Sequence, residues 1–401
     1  MTSHSKIALV IILSAMSGCL LWYSICTYKI SGEKKPVGFG GLSAHFFPQA
    51  EVLNGNSKYF ALDPTKAAED YRKAILAEPS LIDAWIGLVQ VQIASGNRRQ
   101  ASKTLGIIAP TLDSISTWKW KELVFAYELR NGPYFEKCFN YILSWLPDRM
   151  DDACWLASRF WGGWDGVAPH VFPRNYTVFL GELINWRQPD AAISLFKIME
   201  EGPVTWKGTE KLRLCDFLIS NNRLKEAKAV WRLREKGHFS LIYNGGFEKA
   251  PLNTAFGWRF VSNPDFIVER TDTDPHSGKW CLHVHFKGTS NIGCDLAYQL
   301  VPVSPGASYT LYFAQKSKNL TTDRGVFLQV TAYNKGGLDA TGKELLGSSP
   351  WREEKIEFTV PAGCEAIVVH VRRDESLKFD SRISGDYWLD SVRMEATGNG
   401  R

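Results

Sequence analysis

The hydrophobic residues of this chain follow three different patterns in succession. Residues 7–28 form an apolar run, IALVIILSAMSGCLLWYSICTY, that contains no charged side chain. Across residues 61–237, apolar positions recur every three or four residues, which is typical of amphipathic helices. From residue 238 onward, short stretches of alternating apolar and polar residues are separated by Gly, Pro, Asn and Asp, which indicates β-strands joined by turns.

The N-terminal run predicts a membrane anchor within residues 1–30. A helix over 7–28 rises about 1.5 Å per residue and so reaches roughly 33 Å, enough to cross a hydrocarbon core. Trp22 and Tyr23 near its end resemble an interfacial aromatic belt. Two alternatives stay open, because the run could also be a cleaved signal peptide or, through Cys19 in MSGC, carry a lipid anchor.

Residues 31–60 are expected to be a linker, since Gly, Pro, Ser and Asn are frequent there and no helical period persists. The region after it, 61–237, contains a repeating pattern. Its clearest stretches are AAEDYRKAILAEP and DAWIGLVQVQIASGNRRQASKTL, and Trp85 and Trp120 occupy equivalent positions. Small alanines stand where two helices would cross closely, and large residues stand between neighbouring hairpins. The pattern resembles degenerate tetratricopeptide repeats, which form an α-solenoid of helical hairpins and usually bind protein partners.

The C-terminal region, 238–401, is predicted to be a β-sandwich, because about ten short strands follow one another without a helix-period segment. Several motifs occur in a fixed order, namely NGGFE at 244–248, DPHSGKWCLHV at 274–284, VSPGASYTLYFAQKS at 303–317, SPWREEKIEFTVP at 349–361 and GDYWLDSVRMEA at 385–396. This order resembles carbohydrate-binding modules of the family 4 and 9 jelly-roll kind, in the galactose-binding-like superfamily. The resemblance implies that NGGFE is the first strand of the sandwich.

The same resemblance implies sugar binding by aromatic rings flanked by polar groups. On VFLQVTAY and IVVHVRR, alternate residues share a face, and either face could line a groove. The candidate sugar-binding residues are Phe327, Gln329, Tyr333, His370, Arg372 and Trp258. The alternative is that the two faces show the ordinary alternation of a sheet with one side in water.

A structural Ca²⁺ is also implied by the resemblance. The matching carboxylates are Glu248 and Asp390, with backbone carbonyls around 277–279. Carboxylate and carbonyl oxygens are the ligands that calcium prefers. The alternative is that both carboxylates only accept hydrogen bonds from turns.

Composition and motifs exclude other classes of function. The net charge of +5 is mild, and no basic run suggests nucleic-acid binding. No G-x-S-x-G, H-E-x-x-H, phosphate loop or G-x-G-x-x-G motif is present, and the three predicted regions leave no segment for a catalytic domain. We therefore expect a protein that is not an enzyme.

The predicted architecture combines an N-terminal transmembrane helix, an α-solenoid and a C-terminal β-sandwich jelly roll. We expect a membrane-anchored envelope protein that binds polysaccharide through the sandwich and protein partners through the helices, in exopolysaccharide synthesis or export. The lysines flanking the apolar run favour a cytoplasmic C-terminus, but long domains are translocated largely regardless of flanking charge. A sugar-binding module therefore favours a bacterial inner membrane with the bulk of the chain facing the periplasm. The alternative is a purely structural scaffold or an adhesion protein that binds no sugar.

Overall fold

The structure is a computed structural model, and it divides into two compact units, residues 1–179 and 180–401. The described residues are 14–17, 19–25, 47–202, 208–234, 240–334, 336–379 and 381–397. The first unit is helical in its described residues, whereas the second contains further helices and two β-sheets. The predicted boundary between residues 237 and 238 lies outside the described residues.

The predicted N-terminal membrane helix is wrong. None of the helices in the described residues has the length and apolar character needed to span a membrane. Of the predicted span, residues 14–17 and 19–25 are helical, and the remainder lies outside the described residues. The rings of Trp22 and Tyr23, predicted as an interfacial belt, instead lie 5.4 and 5.1 Å from the ring of buried Phe47. The membrane-anchored localisation that depended on this helix is therefore wrong as well.

The predicted linker differs from the structure in its second half, where helix α1 spans Pro48–Phe60. Proline suits the first turn of a helix because its missing N–H would have no partner there. The helix also contains Gly55, and a Cβ at this position would lie 2.8 Å from the Tyr71 ring. Glycine therefore lets the next helix approach closely, and this tertiary contact outweighs the low helix propensity of the segment.

The remaining helices continue in short steps along the chain. They are α2 Pro64–Ala77, α3 Ile82–Ala94, α4 Arg98–Leu112, α5 Lys119–Leu129, α6 Gly132–Trp145, α7 Met150–Phe160, α8 Trp164–Val167, α9 Tyr176–Asn185, α10 Pro189–Glu201, α11 Gly208–Ser220 and α12 Leu224–Arg234. Consecutive helices pack on one another, as α2 does on α3 and α11 on α12.

Several positions of the predicted repeat have the expected environment. Ala67, Ala74 and Ala101 are fully buried, as small residues at helix crossings should be. Trp85 donates a hydrogen bond from Nε1 to the Pro79 carbonyl at 2.9 Å, at the end of the preceding helix. Trp155, one repeat length after Trp120, is instead exposed over about half of its surface. The tetratricopeptide assignment itself stays a prediction.

Two antiparallel sheets form a β-sandwich in the second unit. The strands are β1 Arg259–Phe260, β2 Phe266–Thr271, β3 Cys281–Lys287, β4 Cys294–Pro302, β5 Ser308–Leu320, β6 Phe327–Ala332, β7 Asp339–Thr341, β8 Gly347–Thr359, β9 Ala366–Arg373 and β10 Ser384–Ala396. Sheet A has the order β1-β4-β9-β6-β7, and sheet B has the order β2-β3-β10-β5-β8. Non-consecutive neighbours in both sheets mean that strands distant in sequence lie side by side.

One face of each sheet supplies the core of the sandwich. Alternate residues of β3, namely Leu282, Val284 and Phe286, are buried in one cluster with Leu328 and Val330 of β6. Each such side chain contributes about 1.5–3 kcal/mol when it is fully buried. The residues that alternate with these core positions therefore face outward, and the candidate site lies on one of these outer faces.

The segment NGGFE was predicted to be the first strand of the sandwich, and this is wrong, because the segment forms a turn. Asn244 and Phe247 have φ angles of 52° and 54°, which are incompatible with a strand. A Cβ on Gly245 would lie 1.8 Å from the Val392 carbonyl oxygen, so the turn packs directly on the backbone of β10. The first described strand is β1, which follows this turn.

Candidate functional site

The candidate residues on β6 and β9 meet on the outer face of sheet A. The register pairs Phe327 with Arg372 and Gln329 with His370. Residues that face each other across an antiparallel pair lie on the same side of the sheet. The two stretches that the sequence offered as separate faces are therefore neighbouring parts of one surface.

A row of side chains continues this surface across all five strands of sheet A. From one edge to the other, the row consists of Arg259, Tyr298, His370, Gln329 and Thr341, one residue from each strand. We call it the central row. Arg259 and Thr341 were not predicted, because they join it through pairings between distant parts of the sequence. The central row gives sheet A a continuous polar and aromatic track.

His370 is held in a fixed orientation at the centre of this row. Its Nδ1 lies 3.0 Å from Asp295 Oδ2, and its Nε2 lies 2.9 Å from Thr331 Oγ1. An ionised carboxylate only accepts hydrogen bonds, so Nδ1 carries the proton and Nε2 accepts from the hydroxyl. Both ring nitrogens are thereby engaged, which suits a residue that shapes a surface better than one that moves protons.

Arg372 and Gln329 form the second fixed pair of the surface. Arg372 donates from Nη1 to Gln329 Oε1 at 3.0 Å and from Nη2 to Asp374 Oδ1 at 3.1 Å. Gln329 donates in turn to Asp339 Oδ1 at 2.6 Å. Among the described residues, Arg372 Nε and Asp295 Oδ1 are buried without a hydrogen-bond partner. Buried polar atoms are usually satisfied, so an ordered water would be a natural partner for these two.

The aromatic part of the surface differs from the prediction. Trp258 is almost completely buried, and its ring lies 5.3 Å from the Phe247 ring in the core. Its predicted role in stacking on a sugar is therefore wrong. Phe327 lies on the outer face but is only 5% exposed, which leaves little of its ring for contact. The half-buried rings of Tyr298 and Tyr333 are the available aromatic surfaces.

Helix α11 fixes one end of the central row. Asp216 Oδ1 accepts hydrogen bonds from Arg259 Nη2 at 2.7 Å and from the Ala255 backbone N–H at 3.0 Å. The Arg259 guanidinium in turn lies 5.8 Å from the centre of the Tyr298 ring. The helices of the second unit thus help to position a residue of the sheet surface.

Glu248 and Asp390, the predicted calcium ligands, lie at the same turn. Glu248 Oε1 accepts from the Lys279 N–H at 2.7 Å. Asp390 accepts from the N–H groups of Ser277 and Ser391 at 2.9 and 2.5 Å. Burial raises the pKa of Asp390, against the effect of these hydrogen bonds. The turn presents N–H donors where calcium needs oxygens, and no group of three or more ligating side chains occurs in the described chain. In this arrangement the residues therefore do not fit a calcium ion. Calcium binding itself remains an untested prediction.

Removal of calcium tests this point directly. If the two carboxylates only accept hydrogen bonds from the turn, EDTA should leave the melting temperature of the full chain unchanged. A bound ion would stabilise the folded state by mass action, so CaCl₂ would raise the melting temperature. A rise that disappears in Glu248→Gln would contradict the hydrogen-bonding account and support the calcium site.

The outer face of sheet B carries a separate polar cluster. Asp386 Oδ1 lies 2.9 Å from His283 Nε2 and 2.8 Å from His285 Nδ1. His283 Nδ1 also lies 3.1 Å from Glu269 Oε1, and its ring stacks on Trp388 with centroids 5.0 Å apart. Burial acts to raise the pKa of Asp386, but the hydrogen bonds to His285 and His283 outweigh it and lower the pKa below its usual value.

Asp386 should make the stability of the sandwich depend on pH. A carboxyl group whose pKa is lowered by folding stabilises the protein above its ordinary pKa, and this stabilisation is lost as the pH falls through the folded pKa. Asp386→Asn should therefore cost about 1–2 kcal/mol at pH 6, and the difference should shrink as the pH falls below 3.8. Urea titrations of both proteins at several pH values would show this. A stability difference between the two proteins that does not change with pH would contradict this role of Asp386.

Comparison with known proteins gives no family. No family model matches the chain, and no curated protein matches it. Structural neighbours of the C-terminal sandwich include several carbohydrate-binding modules and the enzymatically active domain of a bacteriophage tailspike protein.

Three of these neighbours show the extent of the likeness. An endo-1,4-β-D-xylanase of Clostridium thermocellum, with CBM22-1 and GH10 modules and xylohexaose, is 18% identical, with 40% of this chain and 29% of that chain covered and a TM-score of 0.29. A family 4 carbohydrate-binding module is 12% identical, with 39% and 99% covered and a TM-score of 0.29. A xylan-binding domain of family 22 is 14% identical, with 41% and 100% covered and a TM-score of 0.30. Such values are too low to indicate a shared ligand.

Proposed function

We propose that the sandwich binds a polysaccharide across the outer face of sheet A. The observation that carries the proposal is the central row, in which one polar or aromatic side chain from each of five strands lies in a line. Strands lie about 4.8 Å apart, so the row is roughly 19 Å long. This length suits several linked sugar units better than a single one.

The chemistry of the face suits sugar hydroxyl groups. Fixed amide, guanidinium and imidazole groups orient a ligand at small cost in side-chain entropy, because hydrogen bonds already restrain them. His370 and Arg372 are restrained in this way by Asp295 and Gln329. The rings of Tyr298 and Tyr333 would offer apolar faces to the C–H groups of a pyranose.

We also propose that the sandwich binds without catalysis. Hydrolysis of a glycosidic bond needs one carboxyl group as an acid and a second as a nucleophile or base. On this face Asp295 accepts from His370 and Asp339 accepts from Gln329. Both carboxylates thus serve to position neighbouring side chains, which supports a binding surface.

For the helical region we propose contacts with protein partners. Leu76 and Ile107 are large apolar residues on α2 and α4, and both are mostly exposed. Apolar side chains on the surface of a helical array are suited to a protein interface. A role in exopolysaccharide synthesis or export stays a prediction, and gene neighbours would test it. The second candidate is a protein scaffold without sugar binding.

A binding panel tests the proposal. The full chain would be run in affinity gels containing xylan, soluble cellulose derivatives or bacterial exopolysaccharides, and applied to a glycan array. We expect retardation by at least one polysaccharide, and we expect Gln329→Ala combined with His370→Ala to abolish it. His285→Ala, on the outer face of sheet B, is the matched control and should bind normally. Failure to bind any glycan, with capture of a protein partner, would favour the scaffold.

Asp216 should support sugar binding indirectly. Asp216→Ala removes the acceptor that holds Arg259, so affinity for the polysaccharide retained in the panel should fall about three- to tenfold, the range of one hydrogen bond. Asp190→Ala removes a different acceptor, which holds Arg223 Nη1 at 2.5 Å between two helices of the second unit, and serves as the control. Titration calorimetry would measure both. Equal affinities for the two variants would contradict a role for Asp216.

A further inference from the structure

A pocket lined by three tryptophans lies in the first unit. Its volume is about 690 Å³, and Trp118, Trp120 and Trp145 contribute to its wall. We call it the tryptophan pocket. Trp118 ends the short helical turn before α5, Trp120 lies in α5, and Trp145 is the last residue of α6. The pocket is thus built from two consecutive helices and the segments that flank them.

Of the three tryptophans, Trp118 is partly buried and packs against the helical core, whereas Trp145 lies outside that core. That core is formed nearby by fully buried residues such as Leu123 and Ile142. Trp145, in contrast, is 69% exposed. A large aromatic side chain that stays in water loses the stabilisation it would gain by burial, and clustered exposed rings usually mark a binding site.

Charged side chains of the pocket already cover two of the rings. The Arg149 guanidinium lies 5.6 Å from the Trp120 ring, and Lys121 Nζ lies 5.1 Å from the Trp118 ring. These cations disfavour a positively charged ligand, although tryptophan faces would otherwise attract one. Asp148 also lines the pocket, and Asp152 Oδ2 lies 3.5 Å from Arg149 Nη1, so two carboxylates balance the two cations. The charge distribution therefore suits a neutral ligand.

The size and the lining narrow the class of ligand further. A volume of about 690 Å³ falls within the usual range for small molecules, whereas a stable protein partner needs about 800 Å² of surface on each side. Ser116 and Thr117, which carry hydroxyl groups, also line the pocket. The exposed indole of Trp145, combined with several hydrogen-bonding groups, suits a ligand with one apolar face and many hydroxyls, which describes a pyranose.

We propose that the tryptophan pocket is a second carbohydrate site, which takes one or two pyranose units of a neutral glycan with Trp145 as the stacking platform. The site is independent of the central row, since all of its residues belong to the helical unit. A chain with both sites would hold a polysaccharide at two points, and linking two weak sites raises the overall affinity without new contacts.

Fluorine NMR of the full chain labelled with 5-fluorotryptophan tests the proposal. Trp145→Phe would assign the Trp145 resonance, and Trp155→Phe would assign that of Trp155, which is 52% exposed on α7 and does not line the pocket. The probes are methyl pyranosides and disaccharides of glucose, galactose, mannose and xylose, together with a proline-rich peptide. We expect at least one sugar to shift the Trp145 resonance saturably while that of Trp155 stays in place.

Variants separate this site from sheet A. The shift should persist in Gln329→Ala combined with His370→Ala, and Trp145→Ala should weaken binding of the same sugar at this site at least tenfold, whereas Trp155→Ala should not. The proposal is overturned if no sugar in the panel moves the Trp145 resonance, if Trp155 responds equally, or if only the peptide is bound. A shift that disappears in the sheet A variants would also overturn it, because it would then come from the other site.

Discussion

Replacing Arg373 by methionine should lower the stability of the sandwich by about 3–5 kcal/mol, because several hydrogen bonds from one buried charged group are lost together. Arg373 is fully buried at the end of β9. It donates to the Arg324 carbonyl at 3.0 Å, to Asn291 Oδ1 at 3.2 Å and to the Ile292 carbonyl. Methionine would remove these hydrogen bonds together. The Arg324 carbonyl and Asn291 Oδ1 would keep only the bonds that they accept from Thr322 Oγ1 and the Ser376 N–H, at 2.9 Å each.

The same guanidinium connects loops that are far apart in sequence. It also donates to Thr322 Oγ1 at 3.2 Å and to the Ser381 carbonyl at 3.3 Å. Segments around residues 291, 322 and 381 therefore meet at one buried cation. The lower stability of the variant should be measured by hydrogen exchange of the sandwich strands at increasing urea concentration, as a lower urea midpoint. This measurement follows the sandwich alone and does not require the helical unit to unfold at the same urea concentration.

Arg372→Met is the matched control for this prediction. Arg372 is the preceding residue on the same strand, but it lies on the outer face and is only partly buried. Its replacement should change the stability by less than about 1 kcal/mol, as is usual for surface positions. Equal losses for the two variants would contradict the assignment of Arg373 to the interior and Arg372 to the surface.

The second large effect concerns binding, and Arg372→Ala should lower polysaccharide affinity at least tenfold. Arg372 fixes Gln329 through the 3.0 Å hydrogen bond, and its Nε has no partner among the described residues. Removing it takes away a direct donor and frees the neighbouring amide. A tenfold loss corresponds to about 1.4 kcal/mol, which is within the range of a single charged hydrogen bond.

Titration calorimetry with the polysaccharide retained in the binding panel would measure this loss. Lys318→Ala is the control, because Lys318 is an exposed cation opposite Asp386 on sheet B. It should leave the affinity unchanged while altering the net charge by the same amount. If both variants lose affinity equally, binding follows net charge and not the geometry of sheet A.

Strand alternation allowed much of the sandwich to be predicted from sequence. Alternation along VFLQVTAY and IVVHVRR grouped Gln329 and His370 with other candidate binding residues, and the two residues are paired on the outer face of sheet A. That these two faces adjoin could not be predicted, since β6 and β9 are separated by β7 and β8 in sequence. Register between distant strands depends on the whole fold, and the central row depends on that register.

The errors also have physical causes. Trp258 was a candidate for sugar binding because it is an aromatic residue of the sandwich, but tertiary packing buries it against Phe247. Glu248 and Asp390 do share one turn, yet residue types alone do not show whether a peptide group presents its N–H or its carbonyl. In the N-terminal run, hydropathy favoured a membrane span, whereas Trp22 contacts Phe47.

Footprinting of side chains by hydroxyl radicals, with and without bound polysaccharide, tests the central claim most directly. The account predicts that Tyr298, Tyr333 and His370 on the outer face of sheet A become protected. It predicts no change for His285 and Trp351, which belong to sheet B. Protection of the sheet B residues alone, or no protection of either face despite saturating ligand, would contradict the proposal that sheet A holds the sugar.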